Sequence, residues 1–113
     1  MLSQKYRFHS RGGVHHTYQK GKTIRTPLLS LVFAPNTREM QRFGVVISKK
    51  VIKSAVGRNR VRRRVYEAIR LELSEFTVPQ DNLFVIFSPT LATMPFRELR
   101  RTVHELLERS RIE

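Results

Sequence analysis

Three apolar runs interrupt an otherwise polar and basic chain. Residues 28–33 (LLSLVF) follow Pro27, residues 43–48 (FGVVIS) are rich in β-branched residues, and residues 83–87 (LFVIF) lie between the turn signals Pro79, Asp81–Asn82 and Pro89. Runs of this length bounded by turn residues predict strands. Two further segments repeat their apolar residues at helical spacing. Val61, Val65, Ala68 and Ile69 share one side of a helix running to about Glu75, and Phe96, Leu99, Val103, Leu106 and Leu107 do the same in a helix opened by Pro95. Residues 14–20 predict a short helix ended by Gly21, Pro35 and Asn36 punctuate a turn, and residues 1–10 read as irregular. The order αββαβα predicts an α+β protein. Its architecture is a small α/β sandwich of helices on a short sheet, built as a single domain over residues 1–113. Ser30 and Ser48 are expected as ordinary residues of edge strands.

The helix after the second strand carries an anomaly. Residues 56–70 read VGRNRVRRRVYEAIR, with six arginines among fifteen residues. Opposite its apolar stripe lie Asn59, Arg60, Arg63, Arg64, Glu67 and Arg70, with Arg58 and Arg62 nearer the apolar edge. Only Glu67 interrupts the positive row, and it is placed to pair with Arg63 or Arg64. A cation in the first turn opposes the helix dipole and costs roughly 0.3–1 kcal/mol. If Asn59 is the N-cap, four arginines sit in those first turns. If Ser54 is the cap, they lie further in, but Gly57 then costs about 1 kcal/mol inside the helix. Either arrangement gives up local stability, as functional sites do. A bound phosphate would reverse the sign of the problem. Lys49, Lys50 and Lys53 extend the same field.

Charge across the chain points the same way. Residues 1–64 hold sixteen Lys or Arg and one acid, and residues 65–113 hold six Arg and eight acids, so +15 and −2 make up the net +13. Segregation on this scale indicates a polyanionic partner rather than a solubility charge. Arginine outnumbers lysine sixteen to six. Guanidinium forks match phosphates and stack on bases, which favours nucleic acid over a lipid surface. The chain has no cysteine, which removes disulfides and thiolate metal sites and fits a reducing compartment. No apolar run approaches a membrane span and no signal peptide is visible, so the expected location is cytoplasmic.

The stretch VVISKKVIKSAVGRNRVRRRVYEAIR resembles the signature region of the protein subunit of bacterial ribonuclease P. That family carries a strand ending in Ser-Lys-Lys, a short connection, and an Arg-Asn-Arg motif on a helix. The matching residues are Ser48, Lys49, Lys50, Arg58, Asn59, Arg60, Arg62 and Arg63. Tyr18 and Gly21 match an aromatic–x–x–Gly pattern before the first strand. Two positions depart from the family: Val14 stands where a second aromatic is common, and Tyr66 where an arginine is frequent.

The resemblance implies a left-handed β-α-β crossover, in a fold shared with a domain of a small-subunit ribosomal protein. It implies that the protein binds a catalytic RNA and the 5′ leader of precursor tRNA. That RNA performs the Mg²⁺-dependent removal of the leader; on the polypeptide no catalytic residue is expected, no metal site is assigned, and no obligate protein partner is inferred. Lys49, Lys50, Lys53, Arg58, Asn59, Arg60, Arg62, Arg63 and Arg64 would contact the catalytic RNA. Tyr18, Lys20, Lys22 and Phe33 would line a leader cleft between the sheet and the first helix. Aromatic stacking beside a basic track is also how single-stranded RNA is commonly held, and Tyr6 and Phe8 are further candidates for it.

Three rival readings remain. A protein-only nuclease needs acids or histidines converging on a metal or a water. The basic half offers only Glu39, and adjacent His15 and His16 diverge on a helix. A DNA-binding module lacks any helix-turn-helix or zinc-finger pattern. The serious alternative is a structural RNA-binding protein of ribosomal type, against which the spacing of the Ser-Lys-Lys and Arg-Asn-Arg motifs speaks.

Overall fold

The computed structural model describes residues 2, 4–7, 17–36, 40–74 and 79–112. Residues 17–20 are helical (α1) and are followed by β1 (Lys22–Arg25), β2 (Leu29–Pro35), β3 (Arg42–Ile47), α2 (Ala55–Arg70), β4 (Gln80–Ile86) and α3 (Phe96–Ile112). Short 3-10 turns occupy Gln4–Tyr6 and Pro89–Ala92. The four strands form one mixed sheet in the order β1-β2-β4-β3. The β1–β2 and β2–β4 pairs are antiparallel, and β3–β4 is parallel. The β3-α2-β4 unit is therefore a crossover between neighbouring parallel strands.

The strand alternation sorts side chains onto two faces. Leu29, Leu31 and Phe33 of β2 share a face with Phe43, Val45 and Ile47 of β3 and with Phe84 and Ile86 of β4. Against this face pack Val61, Val65, Ala68 and Ile69 of α2 and Leu99, Val103, Leu106 and Leu107 of α3, all buried. Both helical stripes thus sit where the sequence pattern put them. The opposite face holds a smaller cluster, Val32 and Leu83 with the half-buried Val46 and Val85.

Gly21 joins α1 to that second face. Its amide donates to the Thr17 carbonyl at 2.8 Å and closes the helix. A Cβ there would lie 2.5 Å from the Thr17 carbonyl oxygen, 2.9 Å from that of Phe33 and 2.9 Å from Cγ1 of Val32. The glycine is required by close approach, since its φ is not positive.

The structure corrects several sequence expectations. β1 was not expected: its four residues, KTIR, contain one buried side chain, Ile24, and are too short to show alternation. It forms because Thr26 closes a hairpin, with its Oγ1 donating to the Leu29 carbonyl at 2.6 Å and accepting from the Leu29 amide at 3.2 Å. β2 is consequently an interior strand, and Ser30 is buried within it rather than on an edge. Ser48 lies just beyond β3 and is exposed. The N-terminal segment is not irregular throughout: Leu2 is buried and Arg7 bridges Phe43 alongside β3.

β4 starts at Gln80, so Asp81 and Asn82 are strand residues, not a turn. Their polar groups are satisfied inside the fold, which removes the cost of burying them. Asp81 accepts from Arg42 Nε and Nη2, each at 2.9 Å, and from Asn36 Nδ2 at 2.9 Å. Gln80 Nε2 donates to Asn82 at 2.6 Å and to Ser110 Oγ at 3.1 Å, tying the end of α3 to the sheet.

Finally, α2 ends at Arg70 rather than near Glu75. The following turn buries Glu72, which accepts from Arg100 Nε at 3.0 Å and lies 2.9 Å from His104 Nδ1. Burial disfavours the Glu72 carboxylate, but its hydrogen bonds to His104 and Arg100 prevail and hold its pKa below the usual glutamate range.

Two consequences are measurable. Gly21→Ala should destabilise the protein by roughly 1–3 kcal/mol, because the added methyl meets backbone oxygens that cannot yield; an unchanged denaturant midpoint would refute this packing. The depressed Glu72 pKa means that its contribution is present above the ordinary glutamate pKa and is lost as pH falls through the lower folded value. Unfolding curves stepped down in pH should show a shallower acid decline for Glu72→Gln than for the parent chain, and parallel declines would contradict it.

Candidate nucleic-acid interface

The start of α2 is built around Ser54. Its side chain accepts from the Gly57 amide at 2.9 Å, making it the N-cap. This places Gly57 inside the helix. A Cβ on Gly57 would come within 2.8 Å of Ile52 Cγ2 and 2.9 Å of the capping hydroxyl, so the residue that weakens the helix also permits its cap. Asn59 has a different task, accepting from Arg62 Nη1 at 2.9 Å. The connection from β3 is turned by Ser48, whose carbonyl accepts from the Val51 amide at 3.1 Å and the Ile52 amide at 3.2 Å. Lys49, Lys50 and Lys53 project from this connection, all exposed.

The arginines expected to act together fall into two groups. Arg58 Nη1 donates to the carbonyls of Ile52 at 3.0 Å and Lys53 at 2.8 Å, bracing the connection. Arg64 donates through Nη1 to the Leu91 carbonyl at 2.6 Å and through Nη2 to that of Met94, bracing the approach to α3. Arg60 and Arg63 are exposed and have no hydrogen bond or ion pair among the described residues. Glu67 pairs not with Arg63 or Arg64 but with Arg70, whose Nε donates at 3.0 Å. That hydrogen bond is the main cause holding the Glu67 carboxyl down to about 2. The acid still lines one hollow with Arg60, Arg63 and Arg64.

A second cation source lies on the N-terminal segment. The Arg7 guanidinium stands 5.4 Å from the centre of the Tyr66 ring, a cation–π distance, and its buried Nε has no hydrogen-bond partner among the described residues. Arg7, Asn59, Arg62, Arg63 and Tyr66 line an open hollow of about 300 Å³. Tyr66 itself is 4% exposed. Burial pushes its hydroxyl pKa up, while Arg7, Arg62 and the Val45 backbone oppose the shift.

The expected leader residues are divided between α1 and the sheet. Tyr18 is 46% exposed, and its partial burial raises the hydroxyl pKa. Lys20 is also exposed. Lys22 and Phe33 are register partners on the face that α2 and α3 cover. Lys22 remains exposed at that face's edge, whereas Phe33 is 6% exposed and packs in the core. Phe33 therefore offers no ring to a base, and alternation along a strand is the reason. The neighbouring Thr23 and Arg25 fall on the opposite face and are exposed. Arg25 was missed as a candidate because β1 was; recognising that strand would have found it. Tyr6 is half-buried with Lys5 Nζ 5.1 Å from its ring centre. Phe8, Val14, His15, His16 and Glu39 lie outside the described residues. Among the described residues no group of three His, Asp or Glu could hold a metal ion, and no helix is long and apolar enough to cross a membrane.

The family model described as Ribonuclease P matches residues 2–111. The chain belongs to the ribonuclease P protein family. Among similar relatives, the ribonuclease P protein component of Chloroflexus aurantiacus is 37% identical over 109 residues, covering 96% of this chain and 80% of the relative. That of Roseiflexus castenholzii is 35% identical over 109 residues, covering 96% and 88%. The solved ribonuclease P protein of Thermotoga maritima superposes with a TM-score of 0.82 at 22% identity, over 91% of this chain and 96% of that one, and shares the fold. Members of this family are subunits of the ribonuclease P holoenzyme, an endoribonuclease that works with an RNA partner.

Within this ribonuclease P protein, the signature helix is thus both a brace and a display. Arg58→Ala and Arg64→Ala should each lower stability by about 1–2 kcal/mol through lost charge-assisted hydrogen bonds. Arg60→Ala and Arg63→Ala should leave the melting temperature unchanged. A sharp drop in either of the latter would mean that these side chains bear on the fold.

Proposed function

We propose that the exposed face of α2 docks on the catalytic RNA of ribonuclease P, while the end of α1 and the opposite sheet face receive the 5′ leader of precursor tRNA. The observation that carries this reading is the pair of guanidiniums without a partner among the described residues, Arg60 and Arg63, the latter lining a hollow with Arg7, Asn59 and Arg62. Arginines that outnumber the one acid among them, Glu67, call for phosphates, and Arg forks suit them. Lys49, Lys50 and Lys53 extend the contact toward β3. Tyr18, half-exposed beside Lys20, serves as a stacking platform for an unpaired base, and Arg25 continues the basic track across the sheet. Cleavage of precursor tRNA, supported by Mg²⁺, is carried by the RNA in the cytoplasm. The polypeptide contributes affinity for the substrate and for the folded RNA.

Reconstitution tests this reading. The chain added to a bacterial ribonuclease P RNA should accelerate precursor tRNA cleavage at low Mg²⁺, and the purified chain alone should not cleave. Metal-dependent cleavage without RNA would overturn the division of labour. Within the complex, Arg60→Ala or Arg63→Ala should weaken RNA assembly by roughly 1–3 kcal/mol. Tyr18→Ala should weaken binding of precursor tRNA by about 1–3 kcal/mol, the worth of one base–aromatic stack, and leave mature tRNA unaffected. Equal losses for both tRNAs would remove Tyr18 from the leader track.

A further inference from the structure

The acid-rich second half of the chain hides a basic surface. Arg97, Arg100, Arg101 and His104 are spaced i, i+3, i+4 and i+7 along α3, so they share one flank of that helix. Glu98 and Glu105, with Arg109, fall on the other flank. Arg97, Arg100, Arg101, His104 and Glu72 line an open hollow of about 360 Å³. Arg97 and Arg101 are exposed and make no hydrogen bond or ion pair among the described residues.

Arg100 is held in a particular way. The buried Glu72 engages its Nε at 3.0 Å, while the Arg100 side chain remains 47% exposed. A bond at Nε fixes the guanidinium plane, and among the described residues the two terminal nitrogens at its outer edge have no partner, the arrangement that bidentate phosphate contact uses. His104 lies between Glu72 at 2.9 Å and Glu108 at 3.1 Å. Three guanidiniums then face one hollow with a surplus of positive charge.

This flank adjoins the arginine row of α2. Arg64 grips the carbonyls of Leu91 and Met94 on the approach to α3. Arg60, Arg63 and Arg64 border a second open hollow, of about 520 Å³, together with the single acid Glu67 and with Phe96 at the start of α3. A seam in which six arginines outnumber the acids Glu67 and Glu72 therefore runs from the middle of α2 onto the first half of α3.

We propose that Arg97, Arg100 and Arg101 form a second RNA-backbone contact that extends the α2 surface, with Glu72 as the positioning residue for Arg100. The proposal rests on the reading of α2 as an RNA-docking face. Its occupant is a phosphate backbone rather than an acidic protein, because the seam is made of arginines with exposed forks and continues a surface already assigned to RNA.

The test is binding of the full chain to a bacterial ribonuclease P RNA across a KCl series, with a melting curve for each variant. Arg97→Gln/Arg101→Gln should weaken binding roughly tenfold and make the dependence of log K on log salt shallower by about one to two, as expected for two lost phosphate contacts. Its melting temperature should match that of the parent. Arg109→Gln, which removes a charge from the other flank, should bind as the parent does. Parent-like affinity and slope in the double variant, while the parent binds tightly, would overturn this inference and leave the α2 reading standing. A loss on Arg109→Gln equal to that of Arg101→Gln alone would also overturn it, since net charge rather than the seam would then govern binding. Failure of the parent chain to bind the RNA at all would remove both readings together.

Discussion

The arginine row depends on the anchoring of α2 from beneath. Val61, Val65, Ala68 and Ile69 are each 0% exposed against the sheet and α3. Burying side chains of this size contributes on the order of 1.5–3 kcal/mol for each valine or isoleucine. A helix secured in this way can bear cations near its positive end, each costing a fraction of that amount. The cap at Ser54 and the braces from Arg58 and Arg64 add local restraint at both approaches. Repulsion on the outer face is tolerated because the inner face fixes the backbone regardless of what the outer face carries.

The same economy governs the buried polar groups. Asp81 is enclosed but receives three donors from Arg42 and Asn36. Gln80, Asn82 and Ser110 satisfy one another where α3 meets β4. Satisfied networks of this kind specify register, because any shift leaves a group unpaired at a cost of about 1–3 kcal/mol. They hold the start of β4 in place where apolar alternation is absent.

Those networks also explain what could be read from the sequence. The two long helices and the apolar parts of β2, β3 and β4 were legible because burial imposes a period on them. The beginning of β4 was not, since Gln80, Asp81 and Asn82 look like turn residues until their distant partners are known. β1 was hidden by its length, and its existence depends on Thr26 and on pairing with β2. At the interface, composition revealed the arginine cluster but could not separate Arg58 and Arg64, which bind carbonyls, from Arg60 and Arg63, which do not. Phe33 looked available because one-dimensional proximity to basic residues does not reveal the face of a strand. Arg97, Arg100 and Arg101 were overlooked because their half of the chain is acidic overall, whereas their charge is segregated around a helix rather than along the sequence.

The position of β4 bears on how the molecule is assembled in time. Among the described strands it is the last to be synthesised, yet it lies between β2 and β3. The two earlier strands cannot complete the sheet between themselves, and until β4 arrives each retains an unmatched hydrogen-bonding edge. Such edges invite pairing with other chains. Productive folding must therefore wait until the polypeptide has emerged beyond Ile86, and the long separation between pairing partners slows the search. The nascent chain passes through an interval in which β1 and β2 can form a hairpin while β3 and α2 lack their neighbour. In that interval the net charge of +15 on the first 64 residues makes neighbouring incomplete chains repel one another.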